Sequence, residues 1–272
     1  MSKESVQYLL KKYKLSPNTM RGQHFLVDDS ILARIVAAAH IDASDAVLEV
    51  GPGIGTMTSL LVAKAKQVVA CEVDRQFEPL LSTLAAVNKN LKIVWGDFLK
   101  TPEASLVLGK EYKIVANLPY YLTAHFFQLI MNFQQLPTSI TVVIQKEVAE
   151  RIVAKPGDLT KIALGIQFYG TPRIAFEIGR RYFNPVPAVD SAALVITNIH
   201  NWEATVDERH CWQLIKIGFS AKRKKLINNL AGGLQMERDA LVNAFEKAGI
   251  GLGSRAQELA PEEWVRLAAA MK

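Results

Sequence analysis

The sequence predicts an α/β fold in which a doubly wound domain with a mostly parallel sheet precedes a small all-helical domain. Short apolar runs alternate with helical stretches from residue 30 to about residue 198. A glycine-rich turn follows an early apolar run, and apolar residues recur at helical spacing after residue 201. Strands separated by helical segments of this length indicate βαβ units, hence a sheet covered on both faces.

The predicted elements of the larger domain share short apolar runs or helical periodicity, bounded by capping and turn residues. They are helices over residues 29–39 and 56–65 and strands over 46–50, 67–73, 91–95, 113–116 and 139–145. Asp28 and Asp29 are candidates for the cap of the first helix. The strands are short and rich in Val or Ile, which is typical of strands in a buried parallel sheet.

The segment 168–199 has a different character. It holds three prolines among strand-like pieces such as 192–197, which suits a late antiparallel hairpin at the sheet edge. We therefore predict three parts: a flexible N-terminal arm over residues 1–28 that contributes to the site, a main domain over 29–200, and a helical C-terminal domain over 201–272.

Composition restricts the class of protein. The 272 residues carry 32 Lys and Arg against 26 Asp and Glu, and the net charge of +6 fits either a polyanionic partner or a merely basic surface. Two cysteines without CxxC spacing indicate a reducing compartment, and five histidines without ligand spacing indicate no metal site. The N-terminus lacks the apolar core of a signal peptide, and no apolar run could span a bilayer. We expect a cytoplasmic protein.

The glycine-rich turn Gly51-Pro52-Gly53-Ile54-Gly55 follows a predicted strand and opens a predicted helix. Taken alone, such a turn could hold NAD, FAD, S-adenosylmethionine or no ligand. Its G-x-G-x-G spacing is one residue short of the dinucleotide fingerprint. S-adenosylmethionine has no pyrophosphate, so a loop that binds it need not form the same anion cradle.

Acidic residues accompany three successive strands. Glu49 lies near the end of the first strand, Glu72 ends the second, and Asp97 follows the third. A carboxylate at Glu72 can accept hydrogen bonds from both ribose hydroxyls, Asp97 can accept from an adenine amino group, and Phe98 offers an apolar or stacking surface. Because the carboxyl ends of parallel strands meet at one edge, the pattern favours S-adenosylmethionine as the cofactor.

The tetrapeptide Asn117-Leu118-Pro119-Tyr120 follows the fourth strand at the same edge. The amino nitrogen of adenine is a poor nucleophile because its lone pair is delocalised into the ring. A side-chain amide oxygen and a backbone carbonyl that accept its two hydrogens hold this lone pair toward a methyl donor. Tyr120 can stack on the base, and Pro119 stiffens the loop. An ordinary turn is the alternative interpretation.

Together these motifs resemble the KsgA-type rRNA adenine N6-dimethyltransferases. The matching stretches follow the family's order along nearly the whole chain; they are Arg21–Leu26, Gly51–Gly55, Glu72, Asp97, Asn117–Tyr120, Gln145–Arg151, Phe183–Ser191, Arg223–Leu226, Asn228–Leu230 and Arg255–Ala256. The resemblance implies a Rossmann-like methyltransferase domain that dimethylates two adjacent adenines with S-adenosylmethionine as donor. The implied substrate is the 3′-terminal hairpin of small-subunit (16S) rRNA, modified in the immature small subunit during ribosome biogenesis.

The residue pattern and the resemblance together assign two sets of site residues. The residues assigned to the cofactor pocket are His24, Leu26, Glu49, Gly51, Gly53, Glu72, Asp97, Phe98 and Asn117. The residues assigned to the target adenine are Asn117, Leu118, Pro119, Tyr120 and Phe183. Phe183 is implied to be a second aromatic face for the flipped base, with a core residue of the late hairpin as the alternative.

The chain departs from the family pattern in two places. Tyr121 stands where the family commonly carries Asn, and residues 158–161 lack a usual Tyr-Gly pair. Neither departure removes a proposed reacting group, but both concern the loops that would hold the substrate.

Two basic patches are candidates for RNA contacts. Lys222-Arg223-Lys224-Lys225 is interpreted as part of a helix and suits phosphate contacts without base reading, unless it is only a solvated helix face. Arg180-Arg181, beside Phe183, is the second patch. Nothing in the sequence requires a dimer, so we expect a monomer.

Three other functions are weighed against this one. Erm-type 23S rRNA methyltransferases share nearly the same reaction loop, although the stretch Phe183–Ser191 fits the KsgA type better. A non-catalytic RNA-binding assembly factor is the alternative from another class, and the intact acidic residues and reaction loop argue against it. An NAD-dependent dehydrogenase is disfavoured by the glycine spacing.

Overall fold

The computed structural model describes residues 3–18, 22–106, 109 and 111–271. Arg21, which begins the first matching motif, lies outside the described residues. The chain divides into two compact units. Met1–Ala149 and Thr171–Ile199 form the first unit, and Glu150–Gly170 and His200–Lys272 form the second.

The first unit contains the strands of the molecule. They are β1 (Phe25–Leu26), β2 (Ala46–Val50), β3 (Gln67–Glu72), β4 (Leu91–Trp95), β5 (Lys113–Asn117), β6 (Ser139–Gln145), β7 (Thr171–Ile178), β8 (Phe183–Asn184) and β9 (Ser191–Thr197). Seven of them form one sheet in the order β4-β3-β2-β5-β6-β9-β7, and β1 pairs with β8 in a two-stranded ribbon. Strands β2 to β6 pair in parallel, whereas β9 is antiparallel to both its neighbours. The predicted mostly parallel sheet with a late antiparallel hairpin is confirmed.

Helices connect the strands and build the second unit. They are α1 (Lys3–Lys12), α2 (Asp29–Ala38), α3 (Thr56–Val62), α4 (Glu78–Val87), α5 (Glu103–Leu106), α6 (Thr123–Ile130), α7 (Lys146–Ile152), α8 (Lys161–Gln167), α9 (Glu208–Gly218), α10 (Leu226–Leu234), α11 (Arg238–Ala248) and α12 (Pro261–Ala270). As predicted, Asp28 caps α2, because its side chain accepts from the backbone N–H groups of Ser30 and Ile31. No helix of the described residues has the length and apolar character needed to cross a bilayer.

The N-terminal residues, predicted to be a flexible arm, form α1 and the strand β1. Val6 and Leu15 are buried in a small apolar cluster with Phe25, Phe77 and Leu81. This burial packs the segment against the unit that contains the sheet.

The second unit is built around an apolar core shared by α8 to α12. Leu159 and Leu164 are buried in one cluster with Leu214, Phe245 and Trp264. Because the apolar side chains of α8 join this core, residues 150–170 belong to the helical unit, whereas the sequence analysis placed them in the domain 29–200. The predicted boundaries of the domains, at residues 28/29 and 200/201, remain predictions.

The prediction that Lys222–Lys225 lies on a helix is wrong. Helix α9 ends at Gly218 and α10 begins at Leu226, so the four basic residues form the turn between them. The buried side chain of Asn229 donates through Nδ2 to the carbonyl of Gly218 at 2.6 Å and to that of Ala221 at 3.1 Å. The first bond satisfies a carbonyl that the end of α9 leaves without a helical partner, and the second adds to the bond that the Ala221 carbonyl accepts from the Lys224 N–H. Together they fix the turn.

Candidate functional site

The ends of four neighbouring parallel strands meet at one edge of the sheet. In chain order β2, β3 and β4 extend in one direction from the middle of the sheet, and β5 and β6 extend in the other. The order therefore reverses between β2 and β5, and ligands of doubly wound sheets bind outside the carboxyl ends at such a point. A cavity of about 340 Å³ opens there, within the size range of ligand pockets.

The glycine-rich turn after β2 forms one wall of this cavity. Gly51, Gly53 and Gly55 all have positive φ, at 72°, 55° and 77°. At Gly53 an added Cβ would approach the ring of Phe25 to 2.9 Å, so a side chain there would displace this aromatic residue. Gly53 is therefore required for both its backbone conformation and its close packing.

Glu72, at the end of β3, faces the turn across the cavity. Its Oε2 accepts from the Gly53 N–H at 2.9 Å, and its Oε1 accepts from the Asp74 N–H at 2.8 Å. Burial raises the pKa of Glu72, and these backbone hydrogen bonds oppose the shift. Each carboxyl oxygen keeps a second lone pair with which to accept from a ligand hydroxyl.

The end of β4 contributes the third group of the pocket. Asp97 is half-exposed at the cavity, and its Oδ1 accepts from the Leu99 N–H at 3.1 Å. Phe98 is buried against Phe126, with ring centroids 5.6 Å apart, and also lines the cavity. The edge thus combines an accessible acceptor with an apolar wall, which suits an aromatic base that carries an amino group.

Asn117, at the end of β5, is oriented by the segment before α2. Its Nδ2 donates to the carbonyl of His24 at 3.0 Å, and the His24 Nδ1 lies 2.8 Å from the carbonyl of Pro185. A flipped amide would place Oδ1 against the His24 carbonyl, where two acceptors repel each other. Oδ1 is therefore the atom left to accept hydrogen bonds from a ligand at the cavity, which Asn117 lines.

The aromatic residues of the reaction loop differ in exposure. The ring of Tyr120 stacks on that of His24 with centroids 6.0 Å apart, and its hydroxyl bonds to the buried Ser191 Oγ at 3.0 Å. Phe183 is only 1% exposed and is paired through β8 with Leu26 of β1. The structure thus matches the core-residue alternative for Phe183, because the ring has no free face for a base.

Glu49 does not reach the cavity, in contrast to its assignment from sequence. Its carboxyl is fully buried, and neither oxygen has a hydrogen-bond partner among the described residues. Burial is the main cause that raises the pKa of Glu49 to about 8, and the negative charge of Glu72 adds to the shift. The nearby Thr58 hydroxyl opposes the shift, although its distance and angles do not meet those of a hydrogen bond. At neutral pH this side chain is mostly a neutral acid beside the turn.

Most other predicted site residues lie together. The predicted residues that line the cavity are His24, Gly51, Gly53, Glu72, Asp97, Phe98, Asn117 and Pro119. Leu26, Glu49, Leu118, Tyr120 and Phe183 lie outside its lining, and three of them are buried apolar side chains. The lining residues that sequence analysis did not assign include Gln23, Val73, Phe77, Leu99 and Tyr121. Val73, Leu99 and Tyr121 each directly follow an assigned residue, and this adjacency could have identified them.

Both basic patches are exposed. Lys222, Arg223 and Lys224 border a shallow depression on the turn after α9. In the first unit, Arg180 donates from its backbone to Asp190 and Arg181 lies over the ring of Tyr182 at 4.9 Å. The described residues contain no group of three or more His, Cys, Asp or Glu placed to hold a metal ion, and the absence of a metal from the reaction stays a prediction.

The chain is similar to a known family over most of its length. Residues 15–272 match the family model described as ribosomal RNA adenine dimethylase. The protein named ribosomal RNA small subunit methyltransferase A of Dehalococcoides mccartyi is 38% identical, and the match covers 95% of this chain and 90% of that protein. The protein of the same name from Shouchella clausii is 37% identical over 97% of this chain and 92% of its own length.

Solved structures share the fold. The 23S rRNA methyltransferase ErmE is 25% identical with a TM-score of 0.74, covering 91% of this chain and 99% of ErmE. A dimethyladenosine transferase from Plasmodium falciparum is 23% identical with a TM-score of 0.77, covering 90% of this chain and 96% of that one. The second likeness concerns the fold alone.

Proposed function

The chain belongs to the ribosomal RNA adenine dimethylase family and is a methyltransferase of ribosomal RNA, and from this premise we propose that it dimethylates two adjacent adenines of small-subunit rRNA. The observation that carries the proposal is the amide of Asn117, which is held by the His24 carbonyl at the rim of the cavity. An adenine amino group needs such an oriented acceptor to become nucleophilic.

S-adenosylmethionine fits the chemistry of the cavity. Glu72 would accept from ribose hydroxyls, Asp97 would accept from the adenine amino group, and Phe98 would contact the purine. Gly51, where an added Cβ would meet no atom within 4 Å, leaves room for the methionine part next to the backbone. When bound, the cofactor supplies a methyl group that its positively charged sulfur has already activated.

The protein's own contribution is to hold the target amine. The Asn117 Oδ1 and the Leu118 carbonyl would accept its two hydrogens, which turns the nitrogen lone pair out of conjugation and toward the donor. Pro119 limits the loop to few conformations, so the two acceptors keep their separation. The site needs no strong base, because the amine would attack while still neutral: the N–CH3 bond would form as the S–CH3 bond breaks, and the methylated nitrogen would then release its proton to water.

Each basic patch is expected to contact phosphates of the RNA. Lys222 to Lys225 and the pair Arg180-Arg181 are exposed and suited to phosphate contacts. We propose the immature small subunit as the physiological partner, a cytoplasmic location and a monomeric enzyme. The curated relatives named for the small subunit are 34–38% identical, whereas ErmE is 25% identical, which favours small-subunit over large-subunit rRNA as substrate.

The proposal is tested by transfer of labelled methyl groups to purified small subunits that lack the modification, with mature large subunits in parallel. Nucleoside analysis should find N6,N6-dimethyladenosine in small-subunit RNA only. Asn117→Ala should lower the rate at least about 100-fold, because an oriented acceptor contributes to the transition state. Asn132→Ala, an exposed asparagine at the end of α6, is the matched control.

The outcomes separate the alternatives. Label in large-subunit RNA alone would replace this substrate with that of the Erm type. Absence of label in both, with tight binding to small subunits, would favour a non-catalytic assembly factor. Equal activity of Asn117→Ala and the wild type would remove Asn117 from the proposed mechanism while leaving the reaction in place.

A further inference from the structure

Tyr121 is an exposed aromatic residue at the cavity. It lies in the helical turn Tyr120–Leu122, lines the cavity beside Pro119 and Leu122, and is 61% exposed. A large exposed ring in that position offers apolar area and a polar hydroxyl to a ligand at the cavity.

The other aromatic residues near the site are already occupied. Tyr120 packs on His24 and bonds to Ser191, and Phe183 is 1% exposed. Phe25, Phe77 and Phe98 line the cavity as buried side chains. Within the described ranges, Tyr121 makes no contact with another aromatic ring or a cation and no hydrogen bond through its hydroxyl, so its exposed surface is available for stacking.

The surroundings of Tyr121 suit RNA. The segment after β7 meets the reaction loop through the Tyr120–Ser191 hydrogen bond, and the same segment carries the exposed Arg180 and Arg181. An exposed aromatic ring and exposed guanidinium groups on adjoining segments are a combination with which proteins hold unpaired nucleotides: the base stacks on the ring, and the cations contact the phosphates.

We propose that Tyr121 stacks on an unpaired base of the RNA at the mouth of the cavity and thereby sets affinity for the substrate. This inference rests on the proposed function, since it assumes an RNA substrate whose bases leave their helix.

The test compares Tyr121→Ala, Tyr121→Asn and Tyr121→Phe in methylation of unmodified small subunits. Because stacking on an aromatic side chain is sequence-tolerant and strong, Tyr121→Ala and Tyr121→Asn should raise the KM for RNA by about tenfold or more. Tyr121→Phe should keep the wild-type KM, because the ring face remains. Affinity for S-adenosylhomocysteine, measured in parallel, separates a loss of contact with RNA from a loss of cofactor binding. Tyr8→Ala, which removes a tyrosine that is 62% exposed and outside the cavity lining, is the matched control.

A binding measurement without turnover keeps this inference separate from the proposed function. A hairpin RNA with a fluorescent adenine analogue, placed at the target position or next to it, should show stacking-induced quenching with the wild type and Tyr121→Phe but not with Tyr121→Ala. The quenched position identifies whether the target base or its neighbour stacks. Equal KM and equal quenching in Tyr121→Ala would overturn the inference. Failure of wild-type methylation with normal quenching would overturn the proposed function alone.

Discussion

The cavity edge and the basic turn after α9 are built in opposite ways. At the cavity, polar groups are buried or half-buried and held by the backbone: Glu72 by two N–H groups and Asn117 by a carbonyl. In the turn, Lys222 to Lys225 are exposed, and a buried amide beneath them fixes only the backbone. The first region has preorganised side chains, and the second has a preorganised backbone with solvated charges.

This difference predicts different functional effects. Fixed acceptors in a partly dry site discriminate between ligands and lose much when one acceptor is removed. Solvated cations attract phosphates over a distance, contribute similar amounts each, and are screened by salt. Substitutions at the cavity should therefore change cofactor affinity and turnover, and those in the turn should change RNA affinity and its salt dependence.

Glu72→Gln should cause the largest change in cofactor affinity. The substitution keeps the shape but replaces one acceptor oxygen with a donor, so affinity for S-adenosylhomocysteine should fall about 10- to 100-fold. Isothermal titration calorimetry measures the change, with Glu78→Gln, an exposed carboxylate on α4, as control. Equal affinity of the two variants for S-adenosylhomocysteine would contradict the proposed difference between the cavity and the basic turn, because Glu72 would then behave like a surface charge.

Asn229→Ala should destabilise the second unit. The variant leaves the buried carbonyl of Gly218 without its side-chain donor and removes one of the two donors to the Ala221 carbonyl, at a cost of about 1–3 kcal/mol. Thermal unfolding should detect the loss, and RNA affinity should fall as the turn loosens. The exposed neighbour in Asn228→Ala serves as control. A normal melting temperature with reduced RNA affinity would show that Asn229 acts by another route.

Lys224→Glu with Lys225→Glu should weaken RNA binding without changing cofactor affinity. Affinity for small subunits should drop about tenfold at moderate salt, and the salt slope should decrease by about 1.5 to 2 because two phosphate contacts are lost. Lys64→Glu with Lys66→Glu reverses two exposed lysines of the first unit and should have little effect. Unchanged affinity of the first variant would remove the turn from the RNA interface.

Glu49→Gln should give the smallest effect, visible as a pH dependence of stability. Since the pKa of Glu49 is raised from 4.5 to about 8, the folded protein holds a proton that the unfolded chain releases. The stabilisation of the folded protein by this bound proton is fully present below about pH 4.5, and it is lost as the pH rises toward 8. Near neutral pH the loss is at most about 1.4 kcal/mol per pH unit.

The measurement for Glu49 is the unfolding free energy from urea titrations at two pH values between 6 and 7.5. The wild type should lose more stability than Glu49→Gln as the pH rises, because glutamine cannot ionise. Parallel pH profiles would mean that Glu49 is already charged in the folded protein, and the cavity edge would then contain a buried anion.

The sheet could be predicted from the sequence because each strand is a short apolar run that is recognisable without knowledge of distant contacts. The runs 91–95 and 139–145 are strands with the bounds that the sequence predicts, whereas α3 ends at Val62, before the predicted residue 65. The acids and the asparagine of the site were predictable for a related reason: they follow strand ends, and the ends of parallel strands must meet.

The predictions from sequence were wrong where contacts with residues elsewhere in the chain determine the local structure or the burial of a side chain. Lysine and arginine favour helices, but α9 ends at Gly218, whose carbonyl accepts from the Asn229 side chain, and the basic run lies in the turn that follows. Likewise, the pairing of β8 with β1 buries Phe183, and the packing of Val6 and Leu15 on Phe77 orders the N-terminal segment. No local pattern in the sequence contains these contacts.

The position of β9 has a consequence for synthesis of the chain. This strand is the last to be made, yet it lies between β6 and β7, and β7 has no other partner in the sheet. Until residue 197 has left the ribosome, β6 presents an open apolar edge and β7 cannot pair, so a chain released early exposes an aggregation-prone edge. The same strand begins with Ser191, the partner of the Tyr120 hydroxyl. Insertion of β9 therefore closes the sheet and completes the reaction loop at the same time. A nascent chain obtains the Tyr120–Ser191 hydrogen bond only when the exposed edge of β6 has been covered.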